Sequence, residues 1–435
     1  MSKTKVLIAM SGGVDSSVAA LLMKNKGYEV IGIFMKNWSD TKNELGECSW
    51  KDERRMAIKI CAQLEIPLLT IDSEKEYRKE VIEKMFKEYR KGVTPNPDID
   101  CNKKIKFPIL LKIAKKIHAD YLVTGHYARI KGTKDKVNPG RFSIDGSPLS
   151  TPPLKSIPKW AGGEQVCETN LQNSQRAELR IRGSKQKNKK MKYELLRGKD
   201  ESKDQSYFLY TLKQEELKHL LFPIGDYTKK QIREIAKENN LSNYDKKSTV
   251  GICFVGKVNL KNFLKKKIKP KKGKILSPDG EIIGEHDGVY YYTIGQRLGM
   301  RYGFEVNKSN DDKKFMKRWY VAKKDVKKNI LIAAPEGHPL NYRKEIVLKN
   351  AHWIDNDFFL KLKNNSGGAG GRERVNTKKV LARIRQVGEL LPAKIYFGKK
   401  TKVVIEKSIT GVSEGQAIVL YSGKKVLGGG EIRFK

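Results

Sequence analysis

Met10-Ser11-Gly12-Gly13-Val14-Asp15-Ser16-Ser17 follows the short apolar run Val6–Met10 and leads into a helical pattern from Ser16 to Lys26. Its glycines permit a tight turn in which successive backbone N–H groups point inward. The positive end of the following helix adds to that nest, so the stretch suits a phosphate or pyrophosphate. A kinase-type loop reads GxxxxGK[ST]; no Lys lies in this one, so simple γ-phosphate transfer is not indicated. Two glycines alone would read as a plain connector, but the flanking serines and Asp15 argue for an anion. Working outward, Val30–Met35, Leu68–Ile71 and Tyr121–Thr124 are further apolar runs, while Lys51–Leu64, Glu74–Lys91 and Phe107–Ile117 carry helical spacing. Alternating strand and helix signals predict an α/β parallel sheet with helices on both faces.

Beyond this region the pattern collapses from Lys131 to Lys192 into Gly, Pro, Ser, Asn and Lys, then resumes at Tyr193 with a helix predicted over Gln231–Asn240. After Lys257 the signals turn to β: Gly273–Leu276, Val289–Ile294, Trp319–Ala322, Ile330–Ala333, Val380–Ile384, Lys394–Phe397, Lys402–Ile405 and Ala417–Tyr421. Short strands at this spacing predict small barrels. A chain of 435 residues exceeds one compact core. The expected division is a catalytic domain over 1–255 with a basic, flexible insertion at 131–192, a central mainly-β domain over 256–338, and a C-terminal β-barrel over 343–435.

The chain carries 89 basic and 49 acidic residues, a formal net charge of +40. Such an excess favours a polyanionic partner, nucleic acid first and an anionic membrane surface second; a lysine-rich bias without any partner is the bland alternative. Five cysteines (48, 61, 101, 167 and 253) form no CxxC pair, which argues against a disulfide framework and a structural zinc or iron–sulfur site. No apolar stretch approaches the roughly 20 residues of a membrane span, and no signal-peptide pattern opens the chain, so a soluble, cytoplasmic protein is expected.

Two cysteines draw attention. Thr94-Pro95-Asn96-Pro97-Asp98-Ile99-Asp100-Cys101-Asn102 reads as a loop, since two prolines oppose a helix; it could present Asp98 and Cys101 to one ligand. Thr249-Val250-Gly251-Ile252-Cys253-Phe254 sets Cys253 in apolar company, where a lone cysteine is ordinarily a small buried hydrophobe. Cys48, Cys61 and Cys167 are read as core residues.

The octapeptide resembles the SGGxDS signature of the PP-loop ATP pyrophosphatases, which cut ATP between its α- and β-phosphates and activate a carbonyl as its adenylate. The resemblance implies ATP contacts from Ala9, Met10, Ser11, Gly12, Gly13, Val14, Asp15 and Ser16, with Asp15 and Ser16 near pyrophosphate and Mg²⁺. Over nearly its whole length the chain resembles the tRNA 2-thiouridylases, through Ser11–Ser17, Phe34–Trp38, Thr94–Asn102, Thr124–Tyr127, Lys203–Phe208, Gly251–Phe254 and Thr293–Arg297. That resemblance implies that Met35 and Gly125 border the adenosine and that Asn96, Pro97 and Asp98 meet the target uridine. Cys253 would carry a persulfide supplied by a sulfur-relay protein or cysteine desulfurase. Cys101 would be the nucleophile, ending in a Cys101–Cys253 disulfide, with Asp98 as acid/base. His126, Lys203, Asp204, Gln205, Arg383, Ile384 and Gln416 would touch the tRNA around its anticodon.

Two departures stand out: the 131–192 segment is longer than the family's connection, and Ile384 stands where an aromatic residue is expected. Competing readings are an amidating PP-loop ligase, which needs no cysteine pair, and an RNA-binding protein whose ATP site only regulates grip.

Overall fold

The computed structural model describes residues 3–40, 48–132, 191–247, 253, 255, 259–299, 318–355, 359, 377–386, 388–398 and 400–434. Most of the 131–192 insertion, together with Cys167, lies outside the described residues, as do the immediate neighbours of Cys253.

The N-terminal sheet is built from β1 (Lys5–Ala9), β2 (Glu29–Lys36), β3 (Leu68–Asp72) and β4 (Tyr121–Val123). Two strands outside it, β5 (Ala128–Gly132) and β6 (Tyr193–Arg197), precede its last member, β7 (Leu220–Leu221). The order is β3-β2-β1-β4-β7, and every pairing is parallel. Val6, Leu7 and Ile8 have no exposed surface, the pattern of a strand covered on both faces. The strand order reverses at β1/β4. Open α/β sheets bind ligands in the crevice outside the strand ends at such a point, and the Met10–Ser17 stretch and Gly125 both lie there.

Around the sheet run α1 (Val14–Asn25) and α2 (Ser49–Gln63). They are followed by α3 (Glu74–Tyr77) and α4 (Lys84–Arg90), joined by a π turn over Arg78–Glu83. A second composite helix consists of α5 (Pro97–Asp100), a π turn over Cys101–Lys106, and α6 (Phe107–Lys116). The loop expected across Thr94–Asn102 is therefore helical from Pro97 onward. Proline is tolerated in the first turn, where its missing N–H has no helical partner to lose, and Asn96 caps the turn by accepting from the Ile99 N–H at 3.3 Å. The π turn adds a residue to the helix starting at Cys101, a device frequent at functional sites. Downstream come α7 (Gln214–Leu217), α8 (Lys229–Glu238) and α9 (Leu260–Lys265). α8 opens on a capping box between Thr228 and Gln231.

A five-stranded sheet follows, with β8 (Gly273–Leu276), β9 (Ile282–His286), β10 (Arg297–Leu298), β11 (Trp319–Asp325) and β12 (Ile330–Pro335) in the order β10-β11-β12-β8-β9. The strand expected at Val289–Ile294 is instead a single 3₁₀ turn at Val289–Tyr291, entered through Gly288 at φ +146°. The last strands are β13 (Tyr342–Trp353), β14 (Thr377–Arg383), β15 (Leu391–Tyr396), β16 (Lys402–Thr410), β17 (Ala417–Ser422) and β18 (Lys425–Arg433). They close into a six-stranded barrel through the β13–β18 pairing, around Ile346, Val403, Ile405, Ile418 and Ile432. β6 of the first domain pairs with β18, extending the barrel sheet. The other core is continuous, running from Leu7 and Tyr77 through Phe263 and Val321 to Tyr421. The first sheet, the central sheet and the barrel thus share one packed interior. No helix among the described residues is long and apolar enough to cross a membrane.

Candidate active site

At the C-terminal end of β1 the chain turns through Gly12 at φ +70°, a left-handed conformation that suits glycine. A Cβ there would also lie 2.3 Å from the Glu53 carbonyl oxygen. Ser16 Oγ accepts from the Ser11 N–H at 3.2 Å, and the Ser16 and Ser17 hydroxyls both donate to the Gly13 carbonyl at 3.0 Å. Gly13 occupies the N-cap position of α1 without a capping side chain, so the first-turn N–H groups face the crevice available to an anion. Gly125 closes the opposite wall: a Cβ on it would stand 2.8 Å from the Ser16 nitrogen, so only glycine lets the two segments approach this closely. Met35, next to last in β2, and Val14, which opens α1, are both buried, and Ala9 ends β1 just before the turn.

The loop has no lysine of its own, yet the fold brings two to it. Lys229 Nζ donates to Asp15 Oδ1 at 2.6 Å, where Tyr127 Oη also donates at 2.8 Å. Lys246 Nζ donates to the Gly12 carbonyl at 3.2 Å, next to Asn243, which bridges that carbonyl and Ser17 Oγ. Sequence reading singled out the Thr124–Tyr127 stretch but missed Lys229, Lys246 and Asn243, because nothing in their local sequence separates them from other polar residues. Backbone donors, a carboxylate and two ammonium groups around one glycine turn fit a magnesium-bound triphosphate.

The second half of the site joins residues 152 positions apart. Cys101 Sγ donates to Cys253 Sγ at 3.8 Å. Asp98 Oδ1 accepts from the Cys253 N–H at 2.8 Å, and Tyr77 Oη donates to the Cys253 carbonyl, so the cysteine is held at both backbone ends. The two thiols are not equivalent. Burial, reinforced by the bond to Cys253 and the charge there, pushes the Cys101 thiol well above its ordinary value. The donated Cys101 S–H draws the Cys253 thiol below it, against the effect of burial and with help from Lys106. Cys253 is therefore the thiol that gives up its proton more readily, and Cys101 the one that keeps it. Burial also raises the Asp98 carboxyl, partly offset by the Cys253 N–H and by Lys106. Lys106 ends the same π turn that begins at Cys101. Burial alone would lower its ammonium, but the facing charges of Cys253, Cys101 and Asp98 raise it on balance. Its place in CNKKIK gave no signal in the sequence beyond its spacing from Cys101.

The residues expected to touch tRNA divide into three groups. Asn96, Pro97 and Asp98 form the first turn next to the thiols, and Lys203 is exposed. Gln205 Oε1 accepts from the Tyr127 N–H at 3.0 Å, and the Ile384 carbonyl accepts from Tyr207 Oη at 3.2 Å. Gln416 bonds to the Thr94–Asn96 segment. His126, Asp204 and Arg383 are enclosed. His126 sits between Phe107 and Phe222 with Nδ1 2.7 Å from Thr124 Oγ1, and burial first, then Lys106, depresses its pKa well below the ordinary range. Asp204 accepts from the Gly198 and Ser206 N–H groups and pairs with Arg383 at 2.7 Å and Arg197 at 3.5 Å. Buried carboxylates such as that of Asp204 settle into such pairing because leaving them unpaired is costly. A cleft of about 520 Å³ borders the Pro95–Ile99 stretch, its walls mixing basic groups such as Lys84, Lys103 and Arg433 with the carboxylates of Glu80, Glu414 and Glu431.

A lysine-free glycine–serine turn at the switch point of a five-stranded parallel sheet defines a nucleotide-binding α/β enzyme. The family described as tRNA methyl transferase HUP domain matches residues 4–143 and 177–257. Those described as tRNA methyl transferase PRC-barrel domain and Aminomethyltransferase beta-barrel domain match 261–335 and 343–432. Relatives named tRNA-specific 2-thiouridylase MnmA, from Bacillus subtilis (strain 168) and Bacillus pumilus (strain SAFR-032), are each 37% identical over 430 residues, covering 99% of this chain and 95% of the relative. The chain belongs to the tRNA-specific 2-thiouridylase family.

Proposed function

We propose that this protein uses ATP to replace the C2 oxygen of the wobble uridine of tRNA with sulfur. The observation that carries the reading is the meeting of Cys101 and Cys253, sulfur to sulfur at 3.8 Å, next to a carboxylate that itself binds one of them. A competing amidating ligase on the same fold has no use for such a pair.

Uracil C2 is a poor electrophile because its oxygen leaves badly; adenylation converts that oxygen into AMP and releases pyrophosphate. The Ser11–Ser16 backbone, Lys229 and Lys246 would hold the triphosphate, with Asp15 beside its Mg²⁺ and Met35 and Gly125 bordering the adenosine. Asn96, Pro97 and Asp98 would receive the flipped base. Cys253, as its thiolate, takes the outer sulfur of a donor protein's persulfide, and that donor leaves with its thiol restored. Two routes then balance. In one, the terminal sulfur attacks C2, AMP departs, and Cys101 attacks the inner sulfur to free the thiocarbonyl. In the other, Cys101 first releases hydrosulfide, which attacks C2. Both end in a Cys101–Cys253 disulfide that a two-electron thiol reductant must open. Asp98, its carboxyl raised by burial, can carry the proton that Cys101 gives up. The net charge of +40 supports an RNA partner, and Lys203, Gln205 and Ile384 are proposed to contact it. The reaction belongs in the cytoplasm, where unmodified tRNA and the sulfur donor meet.

The test is single-turnover thiolation of unmodified tRNA with ATP and a persulfide donor, followed by mass spectrometry of the nucleosides. Cys101→Ser and Cys253→Ser should each abolish 2-thiouridine. No 2-thiouridine from the parent, with an ATP-dependent amidated product that survives Cys101→Ser, would move the assignment to nitrogen transfer.

A further inference from the structure

The stretch that leads to Asp98 and Cys101 is poorly equipped to hold its own shape. Pro95 and Pro97 bring no N–H, so the carbonyls of Thr94 and Pro95 need donors from elsewhere. The C-terminal barrel supplies them. Gln416 Nε2 donates to the Thr94 carbonyl at 3.1 Å and to the Pro95 carbonyl at 3.0 Å. Its Oε1 accepts from Asn96 Nδ2 at 3.5 Å, and the Thr94 N–H donates to the Glu414 carbonyl at 2.9 Å. Gly415, at φ +88°, makes the approach possible: a Cβ there would lie 2.3 Å from Val93 Cγ1 and 2.8 Å from the Thr94 oxygen.

The turn that carries Gln416 is itself fixed. The Gly415 N–H donates to the Ile432 carbonyl at 3.1 Å, and the Ile432 N–H returns to the Gln416 carbonyl at 2.7 Å. Tyr207 Oη, from the first domain, reaches the Ala417 carbonyl at 2.9 Å. On the other side, each contact passes to the next residue along the chain. Asn96 caps the turn at Ile99, the Asp98 carbonyl accepts from Asn102 Nδ2 at 3.0 Å, and the Asp98 carboxylate holds Cys253. Three residues beyond Asp98 lies Cys101.

We propose that Gln416 is a positioning residue for the reaction, and that the barrel's 414–416 turn clamps the base-receiving loop so that Asp98 and Cys101 face Cys253. The inference deepens the thiolation reading and rests on it for its kinetic arm. A side-chain amide is the group the task requires, since it can donate twice to adjacent carbonyls while accepting from an asparagine. Gln416→Glu keeps the shape and the acceptor but loses both donated bonds.

The experiment compares Gln416→Glu and Gln416→Ala with the parent enzyme in single-turnover thiolation and in equilibrium tRNA binding. It adds the rate at which diamide closes the Cys101–Cys253 disulfide without ATP or tRNA. The clamp predicts a turnover rate lower by roughly 10- to 100-fold, the scale on which misplacement by about 1 Å slows an oriented reaction. The tRNA Kd should stay within about twofold, and disulfide closure should slow. A raised Kd with unchanged turnover and unchanged closure would make Gln416 an RNA contact and overturn the proposal, as would the absence of any effect. Should the Ala variant fail to fold, Gln416→Glu with an unchanged melting curve decides. Should the parent enzyme thiolate no tRNA, the functional reading fails, and the closure rate alone still judges the clamp.

Discussion

Between Cys101 and Cys253 a single S–H···S contact decides which sulfur is nucleophilic. Cys101 lies in full burial, which raises its thiol, while Cys253 is only partly buried and is drawn down by the Cys101 S–H and by Lys106. This suits a relay: the more readily ionised Cys253 accepts the sulfane sulfur, and Cys101 keeps its proton until the persulfide has formed. Cys101→Ala removes the donated hydrogen bond, the largest influence drawing the Cys253 thiol down. Its pKa should therefore rise, and the pH at which iodoacetamide alkylates half of Cys253 per unit time should move upward. Below that pH the variant's Cys253 would react more slowly than the parent's; well above it the two rates would converge. An unshifted profile would mean that Lys106 alone sustains the thiolate, and Lys106→Met would then reproduce the shift.

Elements place these residues by features that differ in how openly the sequence displays them. The Met10–Ser17 turn was legible because its chemistry is local: Gly12 needs a left-handed φ and close approach, and both demands show as glycine. Gly12→Ala should cost about 1–2 kcal/mol in backbone strain alone and drive a methyl into the Glu53 carbonyl. ATP affinity measured by calorimetry should collapse, while circular dichroism of the remaining sheet and helices stays close to that of the parent. The composite helix around Cys101 was less legible. Two prolines argued for a loop, whereas Asn96 as cap and Pro97 in the first turn start a helix, and the π turn leaves no composition signal. β18 escaped for the opposite reason. Gly428–Gly430 carry no strand signal, but those glycines let β13 and β17 lie against the strand, with a Cβ on Gly428 only 2.1 Å from the His352 oxygen. Lys229, Lys246 and Gln416 are placed by contacts across more than 200 residues, which no local pattern records.

At the scale of the whole molecule, the barrel and the catalytic domain meet over a buried charge cluster. The side chain of Asp204 has no exposed surface, that of Arg383 has 4%, and Arg197 approaches the same carboxylate. Surrounding bonds from Gly198 and Ser206 leave Asp204 almost fully partnered. Such a cluster adds little net stability compared with an apolar equivalent, because desolvation offsets the attraction, but removing one member strands the other in the interior. Arg383→Ala should therefore lower unfolding stability by about 3–5 kcal/mol, visible as an earlier urea midpoint. Asp204→Asn with Arg383→Met should lose much less, since neither member is left with an unmatched full charge beyond what Arg197 can turn outward to Glu201, its partner at 3.0 Å. If Arg383 serves RNA instead, the single variant would keep its urea midpoint and lose tRNA affinity. The distinction matters for the clamp, because Arg383 and Gln416 anchor the barrel to the first domain at neighbouring points. A barrel loosened at Asp204 should also slow disulfide closure between Cys101 and Cys253, through Gln416, without any change at the sulfur atoms themselves.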